Sequence, residues 1–180
     1  MAITLEIYGK NRDKEFSKTR IGCRGIIIRN GEILISHETK TDYYVIPVGG
    51  LEGDESLEIC CAREILEETG YLVKVKKLYL TLNEYYKEYK FVSNYFICEV
   101  IDYIEPELTE LEAQNGLEAE WLPVTDVLKL YENYDMYTSV DMDKRNTYLR
   151  EFTGLSEYLA IEKREERLFE FEKMKNKYYL

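Results

Sequence analysis

The sequence predicts an α+β fold, a three-layer α/β/α sandwich with a mixed β-sheet and a helical C-terminal extension. Short apolar runs typical of strands alternate along the chain with two separate helical patterns. Between them, residues 49–71 combine a glycine-rich loop, a helix and a glycine stop. We expect one domain over residues 1–180, with a core at about 18–132 and a helical extension at 133–180.

The composition indicates a folded core and a strongly acidic protein. Hydrophobic residues make up 45% of the 180 residues, and the 17 tyrosines suit half-buried surfaces, grooves and interfaces. The formal net charge of −11 disfavours binding to nucleic acid polymers or to anionic membranes, because both require positive fields. An anionic small-molecule substrate must therefore be attracted locally, by a metal ion and a few basic side chains.

The sequence also predicts a cytoplasmic location. No apolar run reaches membrane-spanning length, and the first residues become charged too early for a secretory signal. The four cysteines, which show no C-x-x-C spacing, are interpreted as reduced packing residues: Cys23, Cys60, Cys61 and Cys98. A disulfide or a zinc site is the alternative interpretation.

The N-terminal third is predicted to be strands. Apolar and polar residues alternate from Ile3 to Tyr8, which is typical of a half-buried strand. Residues 22–36 contain two β-branched runs around Asn30 and Gly31, a dipeptide favoured in tight turns, and predict a hairpin. Residues 39–44 are polar and predict a loop that leads into the glycines.

The central helix is predicted from its two ends. Asp54 or Ser56 can cap its start through a short side-chain acceptor, and Gly70 can end it in the left-handed conformation. We therefore expect residues 56–69 to be mainly helical.

Three carboxylates share one face of this helix. Glu64, Glu67 and Glu68 are spaced i, i+3 and i+4, so their like charges repel one another. Arg63 can pair with Glu67 across one turn, but it cannot neutralise all three. A hard divalent cation would do so, and Mg²⁺ or Mn²⁺ fits oxygen ligands best.

The second half of the chain is predicted to continue with a hairpin and helices. Residues 72–82 and 91–100 are predicted to be strands on either side of a charged turn. Residues 102–120 are predicted to form an exposed loop. Residues 120–123 predict a short strand that leads into a helix at 124–131.

The C-terminal part is predicted to be mostly helical after an irregular segment. Residues 134–146 have no clear period, and residues 147–180 read as helix with an interruption at Gly154. An apolar stripe is predicted to pack on the core, with a homodimer contact as the second interpretation: Leu168, Phe171, Met174 and Tyr178.

The central stretch resembles the signature box of the Nudix hydrolases, G-x₅-E-x₇-R-E-U-x-E-E-x-G-U, where U is a bulky aliphatic residue. The matching residues are Gly49, Glu55, Arg63, Glu64, Ile65, Glu67, Glu68 and Gly70. Tyr71 departs from the pattern at a position that we interpret as packing. A solvated acidic helix after a surface turn is the plain alternative, but it does not explain the combination of glycines, Glu55 and Arg63 at this spacing.

The resemblance implies a hydrolase that uses Mg²⁺ or Mn²⁺ to cleave a diphosphate linkage in a nucleoside diphosphate derivative. Nucleotide sugars, dinucleoside polyphosphates and nucleoside triphosphates are the substrates that it suggests. By resemblance, Glu64 and Glu68 are the first candidates for metal ligands, with Glu67 next and with a backbone carbonyl of Val48 or Gly49. Arg63 is expected to orient these catalytic glutamates.

Residues outside the box are candidates by position only. Arg24 and Lys40 are predicted to meet phosphate, and Tyr44 and Tyr85 to stack on a base. By resemblance the general base is either a glutamate of the box or one of five later carboxylates, each of which is also interpreted as a solvated loop residue: Glu84, Glu88, Glu110, Glu112 and Glu118.

Two other functions compete with hydrolysis on the same resemblance. A prenyl-diphosphate isomerase requires a metal set that contains histidine, and His37 is the only histidine in the chain. A non-catalytic ligand sensor of this fold usually carries a DNA-binding domain, and none is evident in the sequence.

Overall fold

The computed structural model describes residues 2–8, 16–86 and 88–178, without the side chains of residues 171, 172 and 174–178. Its strands are β1 (Ile3–Tyr8), β2 (Lys18–Ile26), β3 (Ile28–Arg29), β4 (Glu32–Glu38), β5 (Tyr43–Val45), β6 (Val48–Gly50), β7 (Tyr71–Tyr86), β8 (Tyr89–Tyr103) and β9 (Leu117–Pro123). Its helices are α1 (Leu57–Thr69), α2 (Glu110–Asn115), α3 (Val124–Glu132) and α4 (Met142–Tyr178), with a 3₁₀ turn at Tyr134–Tyr137.

The strands form two sheets. The larger has the order β1-β7-β8-β2-β6 and is mixed, because β1 runs parallel to β7 and β2 runs parallel to β8. The smaller contains β3, β4 and β5, and β9 pairs with the other edge of β4 in antiparallel register. This arrangement confirms the predicted mixed sheet.

Successive residues of the strands point into two separate cores. Ile26 and Tyr95 face the side covered by α3 and α4, whereas Ile27 and Phe96 face the side covered by α1. Because neighbouring side chains of a strand point to opposite faces, β8 contributes to both cores, and β2 and the residue that follows it do the same. The predicted sandwich of helices on both faces is therefore confirmed.

The predicted hairpin at residues 22–36 is correct at its turn and wrong in its first strand. Asn30 and Gly31 both have positive φ, 52° and 81°, and they join β3 to β4 as expected for this dipeptide. The first apolar run, however, divides between β2 in one sheet and β3 in the other. Ile26 and Ile27 are both buried, but in different cores, so the chain passes between the sheets at this point.

The β7–β8 hairpin is longer than the sequence predicts. Most of the expected turn at residues 83–90 is strand, and residue 87 lies outside the described part of the chain. Asn83 and Glu84 are buried, because β1 pairs alongside β7 and Arg150 binds the Glu84 carboxylate at 3.1 Å. Tertiary partners thus keep a polar segment extended.

The segment at residues 102–120 is not the plain loop that was predicted. It contains α2, which begins with a capping box in which Thr109 and Glu112 each bond the backbone of the other. Gly116, at φ 70°, ends the helix, and β9 begins at Leu117. The T-x-x-E spacing is a signal of a helix start that the prediction overlooked.

The C-terminal helix α4 begins earlier than predicted and continues through Gly154. The prediction of an irregular segment up to residue 146 was wrong from Met142 onward. A side chain at Gly154 would place its Cβ 2.4 Å from the Tyr95 ring, so this glycine permits close packing and does not interrupt the helix.

The expected packing of the C-terminal stripe fails at Leu168, which is 55% exposed. The side chains of Phe171, Met174 and Tyr178 lie outside the described residues. No helix in the described part of the chain is long and apolar enough to cross a membrane.

Candidate active site

Helix α1 starts and ends where the sequence predicts. The Ser56 hydroxyl accepts a hydrogen bond from the Ile59 N–H at 3.3 Å, and Gly70 closes the helix at φ 73°. Cys60, Cys61 and Ile65 are buried in the core beneath the helix. This packing fixes the rotation of α1 and sets its glutamates against the backbone of β6.

Arg63 connects the glycine-rich loop to helix α1 through hydrogen bonds. Its guanidinium donates to both Glu55 oxygens at 2.7 and 3.1 Å and to the Gly50 carbonyl at 3.1 Å. It also donates to Glu64 at 2.8 Å and to Glu67 at 3.1 Å. The hydrogen bonds from Arg63 lower the pKa of Glu55 to about 2. These contacts suit the orienting role that the sequence predicts for Arg63.

Glu68 is a buried carboxyl group beneath β6. One of its oxygens accepts from the Ser36 hydroxyl at 2.7 Å and from the Val48 N–H at 3.2 Å. Burial raises its pKa to about 8 although these two hydrogen bonds oppose the shift, and the charges of Glu112 and Glu64 add to the rise. A cation beside Glu68 would stabilise its charged form.

The Glu64 carboxylate lies directly over Gly49. A Cβ at residue 49 would fall 1.6 Å from the Glu64 carboxyl carbon. Burial raises the pKa of Glu64, while its bond to Arg63 opposes the rise. Glycine at this position therefore allows a carboxylate to approach the strand backbone.

We predict that Gly49→Ala reduces activity more than it reduces stability. The added methyl group overlaps the flexible end of Glu64, which can move away, so the fold should persist while the carboxylate leaves its position. Steady-state kinetics should show at least about a tenfold loss of kcat/KM. The matched control is Gly50→Ala, where an added Cβ meets nothing within 4 Å. Equal activity in the two variants would contradict the assigned position of Glu64.

The backbone of β6 distinguishes between the two predicted carbonyl ligands. Val48 donates its N–H to Glu68, and Gly50 accepts from Arg63, so these two residues direct their backbone groups towards α1. Gly49 pairs with Cys23 of β2, since alternate residues of an antiparallel strand bond to opposite sides, and its carbonyl also accepts a weak contact from the Cys60 thiol at 3.9 Å. The strand geometry thus favours the Val48 carbonyl over that of Gly49.

The oxygen atoms beside β6 are of the chemical type that binds a hard cation. In the described part of the chain, no three His, Cys, Asp or Glu side chains converge closely enough to hold a metal ion. Arg63 holds Glu64 and Glu67 through its guanidinium, and Glu68 lies apart on Ser36 and Val48. Even so, Glu64, Glu68 and the Val48 carbonyl supply oxygen donors on one side of β6, which is the donor type that Mg²⁺ prefers.

A basic cavity of about 250 Å³ borders the same strand. Val48 and Gly49 form part of its wall, and three arginines line it: Arg20, Arg24 and Arg150. Arg24, predicted to meet phosphate, is buried and donates to Glu151 at 3.0 Å and to Ser93 at 2.9 Å. The strand β6 thus borders both this cavity and the α1 glutamates, none of which is among the residues that line the cavity.

The chain matches the model of a known protein family. The family model of the NUDIX domain matches residues 19–141, which is more than half of the chain. The chain belongs to the Nudix family. The resemblance of the central stretch is thereby confirmed.

Relatives of this Nudix chain match part of their own length. An ADP-ribose pyrophosphatase of Bacillus subtilis (strain 168) is 31% identical over 121 residues, which are 66% of this chain and 60% of that protein. A human diphosphoinositol polyphosphate phosphohydrolase is 27% identical over 124 residues, 67% of this chain and 66% of that protein. The chain thus spans about two thirds or less of the relatives that it matches.

A solved Nudix structure has the same fold. The NUDIX hydrolase from Nitrosomonas europaea superposes with a TM-score of 0.60 at 18% identity, covering 79% of this chain and 89% of that one. This likeness supports the sandwich architecture, which the sequence predicted.

The tyrosine that departs from the Nudix box has a packing role, as predicted. The Tyr71 ring meets Trp121 edge-on with centroids 5.5 Å apart, and its hydroxyl accepts from the indole N–H at 2.9 Å. Arg29 lies over the Trp121 ring at 3.8 Å and completes the stack. An aliphatic residue could fill this space but could not accept the indole hydrogen bond.

Two predicted substrate residues lie away from the basic cavity. Lys40 donates to the carbonyl of Gln114, and Tyr44 stacks on His37 with ring centroids 3.8 Å apart. His37 in turn bonds Glu120 at 2.5 Å. The structure brings Arg24 to the site and Tyr85 to a neighbouring cavity, and it does not bring Lys40 or Tyr44 to either.

Of the five carboxylates considered as general base, Glu112 is the one whose charge acts on both Glu64 and Glu68. Its negative charge raises the pKa of both Glu64 and Glu68, and Thr109 holds its side chain through two bonds of 2.8 Å. Glu84 pairs with Arg150 and Glu88 with Lys18. Glu110 and Glu118 are exposed.

Sequence reasoning missed several residues at the site. Ser36 holds Glu68, while Arg20, Arg150 and Glu151 form or support the basic cavity. Arg150 and Glu151 lie in α4, far along the chain from the box, and no local spacing connects them to it. The T-x-x-E signal at Thr109 could have identified Glu112 as a positioned side chain.

Proposed function

We propose that this Nudix domain hydrolyses a diphosphate linkage in a small nucleoside diphosphate derivative, with Mg²⁺ or Mn²⁺ as the required ion. One observation carries the proposal. The strand Val48–Gly50 has the α1 glutamates against its backbone and forms a wall of the arginine-lined cavity. A diphosphate in that cavity would lie across the edge strand β6 from the carboxylates that can hold a cation.

Glu64, Glu68 and the Val48 carbonyl would hold the ion, with Glu67 as a further carboxylate. When bound, Mg²⁺ supplies positive charge for the phosphate oxygens and acidifies a coordinated water. Glu67 is less enclosed than the other two, with 43% of its side chain exposed, and so ranks behind them.

The arginines would bind and orient the diphosphate. Arg24 and Arg150 are held by buried carboxylates, which fixes their positions before a substrate arrives. Arg20 has no carboxylate within ion-pair distance in the described part of the chain, so its charge is available to a ligand. Together they would attract an anion to a chain of net charge −11.

Glu112 is proposed as the general base. Both capping bonds end on Oε2 of Glu112, so its other carboxyl oxygen, Oε1, takes no part in them. A carboxylate that is fixed by its own helix start, and whose charge acts on Glu64 and Glu68, would accept a proton from the attacking water.

We predict that Glu112→Gln lowers kcat by about 10²-fold and leaves KM near its original value. The amide oxygen can still accept the Thr109 bonds, so α2 should remain formed. The loss should be smallest at high pH, where hydroxide replaces the need for a base. Glu110→Gln, on the same helix but exposed, is the matched control and should retain activity. A pH-independent loss shared by both variants would remove Glu112 from this role.

A substrate screen tests the proposal. The purified chain would be incubated with nucleotide sugars, ADP-ribose, dinucleoside polyphosphates, nucleoside triphosphates and diphosphoinositol polyphosphates, with and without Mg²⁺. We expect release of a phosphorylated product from at least one nucleoside diphosphate derivative, only with the ion. Hydrolysis of none of them, or hydrolysis that is unaffected by chelation, would contradict the proposal.

No observation favours the other functions. His37 pairs with Glu120 and stacks on Tyr44, so it is not assembled with the box glutamates as an isomerase metal set would require. The basic cavity beside an intact glutamate set supports catalysis over ligand sensing. A homodimer and a cytoplasmic location stay predictions from the sequence.

A further inference from the structure

A second cavity of about 430 Å³ adjoins the basic one. Four aromatic residues line it, Tyr8, Tyr85, Tyr86 and Phe91, together with residues from the start of α4. Tyr8 belongs to β1, so two of its walls come from segments outside the matched residues 19–141. The additions to the family domain therefore build most of this cavity.

The two cavities meet at shared residues. Phe91 and Arg150 line both of them. Arg150 is held by Glu84 at 3.1 Å and by Glu151 at 3.5 Å, and its buried Nε has no hydrogen-bond partner within the described residues. A ligand with its diphosphate in the first cavity can extend past Arg150 into the second.

The lining of the second cavity suits a planar heterocycle. Tyr8 already stacks on Tyr85 with ring centroids 5.1 Å apart, and Phe91 stacks on Tyr89 at 5.4 Å, so a base would stack on an outer face of one of these pairs. Such stacking is tolerant of base identity. Asn146 and Thr147 add amide and hydroxyl groups that can bond a base edge. The Asn146 carbonyl oxygen accepts from Arg145, which leaves the amide N–H groups for a ligand.

The charges at this cavity disfavour a highly phosphorylated ring. Arg145 pairs with Asp135 at 3.0 Å, Arg150 pairs with Glu84, and Asp143 adds a negative charge to the wall. A polyphosphorylated inositol would need several unpaired cations here. The cavity therefore fits a neutral ring better than a second anionic group.

We infer that this second cavity binds the nucleobase of the substrate, so that β1 and α4, which lie outside the matched residues 19–141, contribute to the choice of diphosphate together with residues of the family domain. The inference rests on the proposed function for the position of the diphosphate. Binding of the base, however, can be measured without hydrolysis.

The test compares the binding of AMP and UMP with that of ribose 5-phosphate, which carries the same phosphate without a base. Calorimetry on the full chain without metal avoids any dependence on turnover. We expect at least one of the two nucleotides to bind about tenfold or more tightly than ribose 5-phosphate. Inositol hexakisphosphate should bind no better than ribose 5-phosphate.

Three variants test whether the preference for a nucleotide over ribose 5-phosphate arises in the second cavity. Tyr8→Ala removes a ring that is 57% exposed, and Asn146→Trp fills the cavity, so both should reduce the nucleotide preference to less than about threefold. Tyr103→Leu, at the far end of the β7–β8 hairpin, should retain it. Circular dichroism and thermal melting check that each variant is folded.

The outcomes separate this inference from the proposed function. Equal binding of nucleotide and ribose phosphate, no binding of either nucleotide, or a preference that survives Asn146→Trp would overturn the inference. A nucleotide preference that is lost in Asn146→Trp, in a protein that hydrolyses no diphosphate, would support it and refute the hydrolase instead.

Discussion

Glu68→Gln should lose about 10²-fold or more of the turnover while the fold is kept. The substitution preserves size and can keep the bonds from Ser36 and Val48, but it removes the charge that would hold the ion. Loss of one principal electrostatic stabiliser costs roughly this factor. Steady-state kinetics on the substrate found by the screen would measure it.

The same substitution should not destabilise the metal-free protein. Burial raises the pKa of Glu68 to about 8, so a charged carboxylate there is costly and a neutral amide is not. Chemical unfolding without metal should give an equal or slightly higher free energy of unfolding. Glu58→Gln, exposed on the same helix, is the matched control for both measurements. Near-normal metal-dependent hydrolysis by Glu68→Gln would remove Glu68 from the site.

Glu151→Ala should reduce the free energy of unfolding by about 3–5 kcal/mol, the usual cost of removing one partner from a buried ion pair. Glu151 is fully buried and accepts from Arg24 at 3.0 Å and from the Tyr95 hydroxyl at 3.2 Å. It also lies 3.5 Å from the Nε of Arg150. Its removal leaves two arginines short of a partner beneath the basic cavity.

Urea unfolding would measure this loss against two related variants. Glu151→Gln retains an acceptor and should lose less. Glu166→Ala, exposed on the same helix, should change stability by less than about 0.5 kcal/mol. A loss below about 1 kcal/mol in Glu151→Ala would show that the arginines do not depend on this carboxylate.

The parts of the fold that follow local rules could be predicted from the sequence. The ends of α1 follow from Ser56 and Gly70, and the β3–β4 turn follows from Asn30 and Gly31. The contacts between Arg63 and the glutamates follow from helix spacing. Each of these depends on residues close together in the chain, so periodicity and capping rules are sufficient.

The parts that depend on distant residues could not be predicted in this way. The sequence around Glu84 predicts a turn. In the structure Glu84 lies in β7, where Arg150, 66 positions later, binds its carboxylate. From the sequence alone, Gly154 indicates a helix interruption. The structure shows instead that a side chain at this position would overlap the ring of Tyr95, which belongs to another element. Nothing local in the sequence indicates the partners of Lys40 and Tyr44, and only the tertiary structure shows that Gln114 and His37 hold them.

Calorimetric titration of Mn²⁺ into the metal-free protein tests the central claim, that the carboxylates against β6 hold a divalent cation. We predict binding at millimolar concentration or below in the wild type, and its loss or strong weakening in Glu68→Gln but not in Glu58→Gln. Affinity should depend on the carboxylates, because each supplies charge to the ion. Absence of binding at millimolar Mn²⁺, or equal binding by Glu68→Gln and the wild type, would contradict the account.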